Sequence, residues 1–464
     1  MQKLIAKYGL AAHLALLAVA PLFLLPFGAG RGLSTILLWL SAAALLWTFL
    51  EPSVLQGETT SVARRRVRVA FGRDPLTWIL LAMALVSGIR AVNSGVSFSY
   101  DVEHSVWRLT DPAFPILPAS VGDVDLLPFA AAVSILVLVQ ACRHALGRSA
   151  RLSFLLQVSV LAGIASAVVL VAISLGSPRA SRLLASEATD CSCIGLAFGF
   201  YLLIAVVTLV SILESEWRSA WLPAVFAAGS GAAGVFSFAP PFVSAGFAVL
   251  IAVLVIYSIF YAMRFFKSVS GFLLFLAIVL SIAVAGLLVA STLPKGVLTA
   301  KLQTYRELVF FPERFWEIRT LLSGVAIKAW FTHLWVGTGL GSFPLDFRFS
   351  ATADDWAILP RGVRLLANGW LLVLAERGLV GAVQVILPLG FLACVYCYRL
   401  YGSLTVWEVP HPACLLAPFV ILIVVLLGLV DCSPFRPEAL MAAGPMLVVS
   451  AAAYPKKKVE RNGG

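Results

Sequence analysis

The chain has 464 residues, of which 61% are hydrophobic and only 12% charged, and its mean hydropathy is +0.97. No soluble domain can hide that much apolar surface, so soluble enzymes and binding modules are excluded and a bilayer must be the solvent. The net charge of +11 then needs a membrane explanation before a nucleic-acid one.

The apolar runs last about 20 residues, the length of a helix crossing ~30 Å of hydrocarbon, rather than the short alternating segments of a barrel. They predict an all-α polytopic membrane protein with about twelve transmembrane helices, at roughly 8–27, 32–50, 75–92, 126–142, 153–175, 193–213, 220–238, 242–263, 271–290, 379–398, 412–430 and 438–454. The first run lacks a small-residue cleavage site and is followed at once by another, so no cleavable signal peptide is expected. The organisation that follows is helices 1–9 over 1–290, a large loop over 291–378, helices 10–12 over 379–454 and a basic cytoplasmic tail over 455–464.

With the N-terminus in the cytoplasm, eighteen of the 34 basic residues but only seven of the 23 acids fall on that side. The whole net charge lies on one face, the positive-inside pattern. The Arg64–Arg73 run and the tail Lys456-Lys457-Lys458 are accounted for by this rule and by anionic membrane lipid, and no nucleic-acid partner is expected. Both termini are read as cytoplasmic.

Three outer segments stand out. Residues 93–125 carry Trp107, Pro112, Pro115 and Pro118, too polar to span and too proline-rich for a long helix. Residues 176–192 carry Arg179 and Arg182. The third is the loop 291–378, far longer than an ordinary connection, and long structured loops are more often functional than decorative. Seven cysteines are scattered. A metal site would want a second Cys-x-x-Cys or histidines at ligand spacing, so no metal is expected. Cys191, Cys193 and Cys432 are read as thiols packed among helices or as the partners of one disulfide on the oxidising side.

Inside the long loop, 313–330 reads as an amphipathic helix with Phe315, Leu322, Val325 and Ala329 on one stripe and Glu313, Glu317 and Lys328 on another face. Arg319 falls in the apolar stripe. It is either an arginine snorkelling to headgroups from a helix lying on the membrane, or a cation set at that depth to meet a lipid phosphate. His333 precedes Gly337-x-Gly339-x-Gly341, which lacks the strand and the Lys-Ser/Thr ending of a nucleotide loop and is read as a turn of close backbone approach. Asp354 and Asp355 are a candidate base or divalent-cation site, or else plain solvated loop acids, with Arg361 and Arg364 beside them in the loop. Arg436, in the last outer turn between Asp431 and Glu438, and Arg90, near the outer end of the third segment, are charges close to hydrocarbon, which are functional candidates by default or else ion-paired.

The late large loop, the Arg-led helix, the Gly-x-Gly-x-Gly turn and Asn368-(nine residues)-Gly378-x-x-Gly381 resemble the O-antigen ligase and O-antigen polymerase superfamily. The resemblance covers the topology and residues of about 313–390. It implies a C-type membrane glycosyltransferase of the bacterial inner membrane. Such an enzyme moves a glycan from undecaprenyl pyrophosphate to a glycan or lipid A core acceptor on the periplasmic face. It uses no cofactor and no metal, and needs a base for the acceptor hydroxyl and cations for the departing pyrophosphate. Arg319 matches the arginine of the loop helix, and Asn368, Gly378 and Gly381 match the second motif.

Two positions depart from the pattern. Ala367 stands where the family has a histidine, and the turn Ser237-Phe238-Ala239-Pro240-Pro241-Phe242 lacks the Ser-Arg often found there. Three readings follow. A catalytic histidine has been replaced by alanine, which leaves the missing arginine unexplained. Or the protein is a divergent transferase drawing its base from His333, Asp354, Asp355 or Glu376 and its phosphate ligands from Arg361, Arg364, Arg436, Arg179 or Arg182. Or it keeps the fold without the chemistry, as a lipid-linked-glycan binding or transport protein.

Overall fold

The computed structural model describes all residues except 1, 25–29, 56–71, 111, 122–125, 147, 175–188, 214–219, 240, 267–275, 277–278, 281–282, 284–305, 307–311, 351–367, 406–410, 430–434, 436 and 454–464. The described chain folds in order as α1 (Gln2–Leu24), α2 (Gly30–Leu55), α3 (Pro75–Val92), β1 (Ser94–Asp101), β2 (Val106–Thr110), β3 (Ser120–Val121), α4 (Leu127–His144), α5 (Arg148–Ser174), α6 (Thr189–Leu213), α7 (Trp221–Phe238) and α8 (Pro241–Phe266). Beyond these come α9 (Pro312–Thr332), α10 (Phe343–Ser350), α11 (Gly369–Thr405), α12 (Leu416–Leu422) and α13 (Pro437–Ala453).

Helices occur where eleven of the twelve apolar segments were read, while the ninth, 271–290, lies mostly outside the described residues. Among the described residues, five are long and apolar enough to cross a membrane: Pro75–Val92, Ala150–Val171, Ile194–Ile212, Val243–Tyr261 and Gly369–Tyr398. Burial sorts them. The apolar stretch of α6 is 94% buried, against 28% for those of α3 and α8. A helix apolar on every side belongs at the centre, and α6 occupies it. Its Phe198, Phe200 and Leu203 join Leu14 and Leu17 of α1, Phe154 of α5 and Met446 of α13 in one core.

Side-chain hydroxyls tie this core together. Tyr201 Oη donates to the Ala18 carbonyl at 2.6 Å, Ser166 Oγ to the Ser230 carbonyl at 2.6 Å and Tyr396 Oη to the Leu447 carbonyl at 2.8 Å. Ser41 and Ser134 pair at 3.0 Å. In lipid such bonds contribute modestly, but they fix which faces meet.

One expectation is corrected. The stretch 93–125 is not merely a proline-broken loop: it holds a three-stranded sheet in the order β2-β1-β3. Tyr100 lies opposite Trp107 and Asp101 opposite Val106 in the antiparallel hairpin, and β3 runs parallel to β1. The signal is present in the sequence, where Val96, Phe98 and Tyr100 alternate with Ser97, Ser99 and Asp101, the period of a half-buried strand. The apolar segment expected from 379 follows directly on a helix that begins at Gly369, and the two are joined across a non-helical Gly378.

Candidate functional site: a junction around the break in α11

At Gly378 the backbone of α11 leaves the helical region, with φ 61° and ψ −163°. Essentially only glycine adopts that conformation. The break opens backbone groups of the helix, and the turn 333–341 fills the gap. Thr338 N donates to the Ala375 carbonyl at 2.9 Å and Gly339 N to the Glu376 carbonyl at 3.1 Å. In return Leu379 N and Val380 N donate to the carbonyls of Leu334 and Trp335, both at 3.0 Å. Four of the backbone groups at the kink thus have partners from one inserted segment of chain.

The approach is close enough to demand glycine on both sides. A Cβ at Gly337 would lie 2.3 Å from the carbonyl carbon of Glu376, and one at Gly378 would lie 2.4 Å from the Trp335 carbonyl. Gly337, Gly339 and Gly341 all have positive φ. The Gly-x-Gly-x-Gly signal is thus the close-approach turn that its composition suggests, and what it approaches is the second motif.

A third segment closes the junction. Leu340 N donates to the Ala119 carbonyl and Val121 N to the Leu340 carbonyl, both at 2.9 Å, so the turn adds an edge to β3. The chain before β3 is fastened over the end of α3 by Asn93. Its Nδ2 donates to the carbonyls of Phe114 and Leu117 at 3.0 and 3.1 Å, while Oδ1 accepts from Phe114 N at 3.1 Å. Ser120 Oγ donates to the Arg90 carbonyl at 3.0 Å.

Charge gathers where these segments meet. Arg90 is only 4% exposed, and its Nη2 donates to the Arg377 carbonyl at 3.3 Å. It lies near enough to feel the charges of Arg377 and Glu376. Its Nε has no hydrogen-bond partner among the described residues. Burying a guanidinium beside a second one is costly unless an anion shares the site. Glu376 supplies one such anion from within the chain, and its Oε1 accepts from Phe343 N, the first amide of α10, at 3.4 Å.

Beneath the turn sits a cluster that the sequence did not single out. Asp346 Oδ2 accepts from Thr338 Oγ1 at 2.8 Å and from Ser342 Oγ at 3.1 Å. Burial raises the Asp346 pKa, partly offset by those two hydroxyls and by the charge of His333. The signal that could have found it is Ser342-x-x-x-Asp346, one helical turn apart at the start of α10.

The residues nominated from sequence divide between two ends. α9 and the first part of α11 run side by side. Leu322, Val325 and Ala329 pack with Leu371, Leu372 and Ala375, and Ile318 closes the cluster. At the far end Glu376 and Arg377, beside the break at Gly378, lie against Arg90, and His333 lies within range of the Asp346 charge. Arg319 stands at the near end, half-buried, about 21 Å along α9 from His333 at 1.5 Å per residue. Asn368 is at the near end of α11, where its Oδ1 caps the helix by accepting from Trp370 N and Leu371 N at 3.0 and 3.2 Å. Gly381 lies one turn beyond the break, packed on the Arg377 side chain. Ala367, Asp354, Asp355, Arg361, Arg364, Arg436, Arg179 and Arg182 lie outside the described residues, as does Cys432.

Among the described residues, Asp101, Glu103 and His104 hold their ligand-type atoms within 4.8 Å of one another at the tip of the β1–β2 hairpin. His104 Nδ1 and Asp101 Oδ2 are 2.9 Å apart, a hydrogen bond across the turn. Cys142, Cys394, Cys397 and Cys414 are free thiols. No family model matches the chain, and no curated protein matches it.

Proposed function

We propose that the protein is an inner-membrane glycosyltransferase. It would transfer a glycan from undecaprenyl pyrophosphate to a glycan or lipid A core acceptor on the periplasmic side, as a surface-polysaccharide polymerase or O-antigen ligase. The twelve-span topology, with cytoplasmic termini and a periplasmic loop at 291–378, is part of this reading. One observation carries it: the buried Arg90 beside Arg377, at the end of an apolar helix and under a glycine turn. Two guanidinium groups suit a pyrophosphate, because each forks onto phosphate oxygens and neither loses its charge. At the junction between apolar helix and polar segments they meet a lipid headgroup at its own depth. Arg319, at the other end of α9, is a second phosphate-binding position for a long donor or acceptor.

The test is transfer in proteoliposomes carrying an undecaprenyl-pyrophosphate-linked oligosaccharide. Removing a charge that stabilises the leaving group lowers turnover by about 10²–10³-fold. Arg319→Ala, at a half-buried position, is expected to do so with chromatographic profile and thermal midpoint unchanged, and Arg90→Ala, at a buried and hydrogen-bonded one, with the chromatographic profile unchanged and some loss of thermal midpoint. Undiminished elongation in the Arg90 variant refutes the assignment.

A second reading has its own support. Asn368 and Glu376 both accept backbone amides at helix starts, so each has a structural duty. A protein that binds the lipid-linked glycan without turnover would retain both for that reason. Donor binding with no transfer in the unaltered protein would decide for it.

A further inference from the structure

We infer that α9 lies in the plane of the membrane surface and rests one edge on the headgroup layer of the bilayer, on the side of the molecule that carries the junction. The inference goes beyond the proposed activity and does not depend on it.

The helix has three sides. Leu322, Val325, Ala326 and Ala329 are buried against α10 and α11. Glu313, Glu317 and Lys328 are exposed. The third side is exposed and carries large apolar side chains at its two ends, Trp316 at 59% exposure at one and Ile327 and Phe331 at 38% and 67% at the other, with Thr320, Ser323 and Gly324 between them. Trp316 and Ile327 are eleven residues apart, about three helical turns, and Phe331 follows one turn later, so the three form one edge. A helix in water buries one face and wets the rest, whereas a helix with protein, lipid and water around it needs three faces.

The edge continues into a surface that a span already turns outward. The chain leaves α9 through Leu334 and Trp335, 36% and 68% exposed. Their carbonyls are bonded to Leu379 N and Val380 N of α11. Three residues past Val380, Val383 is 50% exposed, and Ile386 and Leu387 are 54% and 56% exposed. All three lie in the apolar stretch Gly369–Tyr398. The exposed apolar residues therefore run from a membrane-length helix, through Trp335 and Leu334, to Phe331 and Ile327 on the edge of α9.

The chemistry of the edge fits the headgroup layer better than a protein partner. Tryptophan, present here as Trp316 and Trp335, is enriched at that depth because its flat apolar ring carries a polar N–H. Trp330 stacks on Phe331 with ring centroids 5.2 Å apart and donates its Nε1 to the Leu334 carbonyl at 3.2 Å. Arg319, one turn before Leu322 and half-buried, flanks the edge with a stem long enough to keep its charge among phosphates. Because α9 ends on the break at Gly378, an anchored α9 fixes the depth of Arg90 and Glu376 in the bilayer.

The experiment places p-azidophenylalanine at position 316, 331 or 335, and at 317 and 328 as controls, in the full chain. The protein is reconstituted in phosphatidylethanolamine–phosphatidylglycerol vesicles containing a tritiated lipid. After illumination, covalently retained lipid label is expected to be several-fold higher at 316, 331 and 335 than at 317 and 328. Exchange of one aromatic for another at the first three positions preserves shape. Label at control level throughout means that the edge faces water and overturns the inference. Protein–protein adducts in place of lipid adducts mean that a second copy covers it, with the same consequence. No transfer activity is measured, so failure of the functional proposal leaves the result readable.

Discussion

Replacing Gly378 by alanine should dismantle the junction while leaving the bundle inserted. The residue holds φ 61° and ψ −163°, a conformation that costs a side-chain-bearing residue about 1–3 kcal/mol. Its new Cβ would lie 2.4 Å from the carbonyl carbon and oxygen of Trp335 and 2.6 Å from Gly337 N. These are backbone atoms and cannot rotate away, so the turn must move. Moving it breaks the four backbone bonds that join 334–339 to 375–380. At about 1 kcal/mol each, with the strain relieved in exchange, the loss is about 4 kcal/mol. That is a large part of a domain's usual 5–15 kcal/mol, but it falls on one locally opened unit. Gly390, also in α11, has nothing within 4 Å of an added Cβ. Gly390→Ala should be neutral or stabilising by up to about 1 kcal/mol. Hydrogen exchange of the Thr338, Gly339, Leu379 and Val380 amides in detergent is the assay. The Gly378 variant should lose roughly 10³-fold of their protection by 1.4 kcal/mol per decade, and the Gly390 variant none. Unchanged protection in Gly378→Ala would refute the account of the turn as a filler of the helix break.

Two further outcomes follow from single side chains. Asn368→Ala removes an N-cap and should lower stability by about 1 kcal/mol, whereas Asn368→Asp keeps the acceptor and should not; equal thermal midpoints for both would show that the cap is not what Asn368 does. Asp346 has a raised pKa, chiefly from burial, so the folded protein holds its proton more tightly than the unfolded chain. That contribution is complete below about pH 4, the unfolded carboxyl value, and is lost as pH rises through the higher folded value. Asp346→Asn keeps an acceptor for Thr338 and Ser342 but cannot ionise. Its midpoint should decline less than that of the unaltered protein from pH 4 upward, and parallel declines would contradict the assignment.

The composition determined the class, because apolar surface on this scale has one solvent available to it. Run length located the helices, since 3.6-residue geometry and bilayer thickness both set a length near twenty. The spacing within 313–330 separated the buried stripe of α9 from Glu313, Glu317 and Lys328, as the structure has it. The glycine turn was legible as a close approach, because only the missing Cβ explains three glycines at alternate positions.

What it approaches was not legible. Gly337 and Gly378 are 41 positions apart in sequence, and a local pattern carries no information on which distant backbone fills a helix break. Arg90 is further removed, 287 residues from the Arg377 carbonyl to which it donates. As a single charge near the end of an apolar helix it reads as an ion-paired residue or a functional one. Only packing, by burying it beside Arg377 and Glu376 and covering it with the segment held by Asn93, makes it part of a site. Periodicity is a property of neighbours along the chain and survives in the sequence. The electrostatics of a junction depends on which three segments meet, and that was decided by the tertiary structure alone.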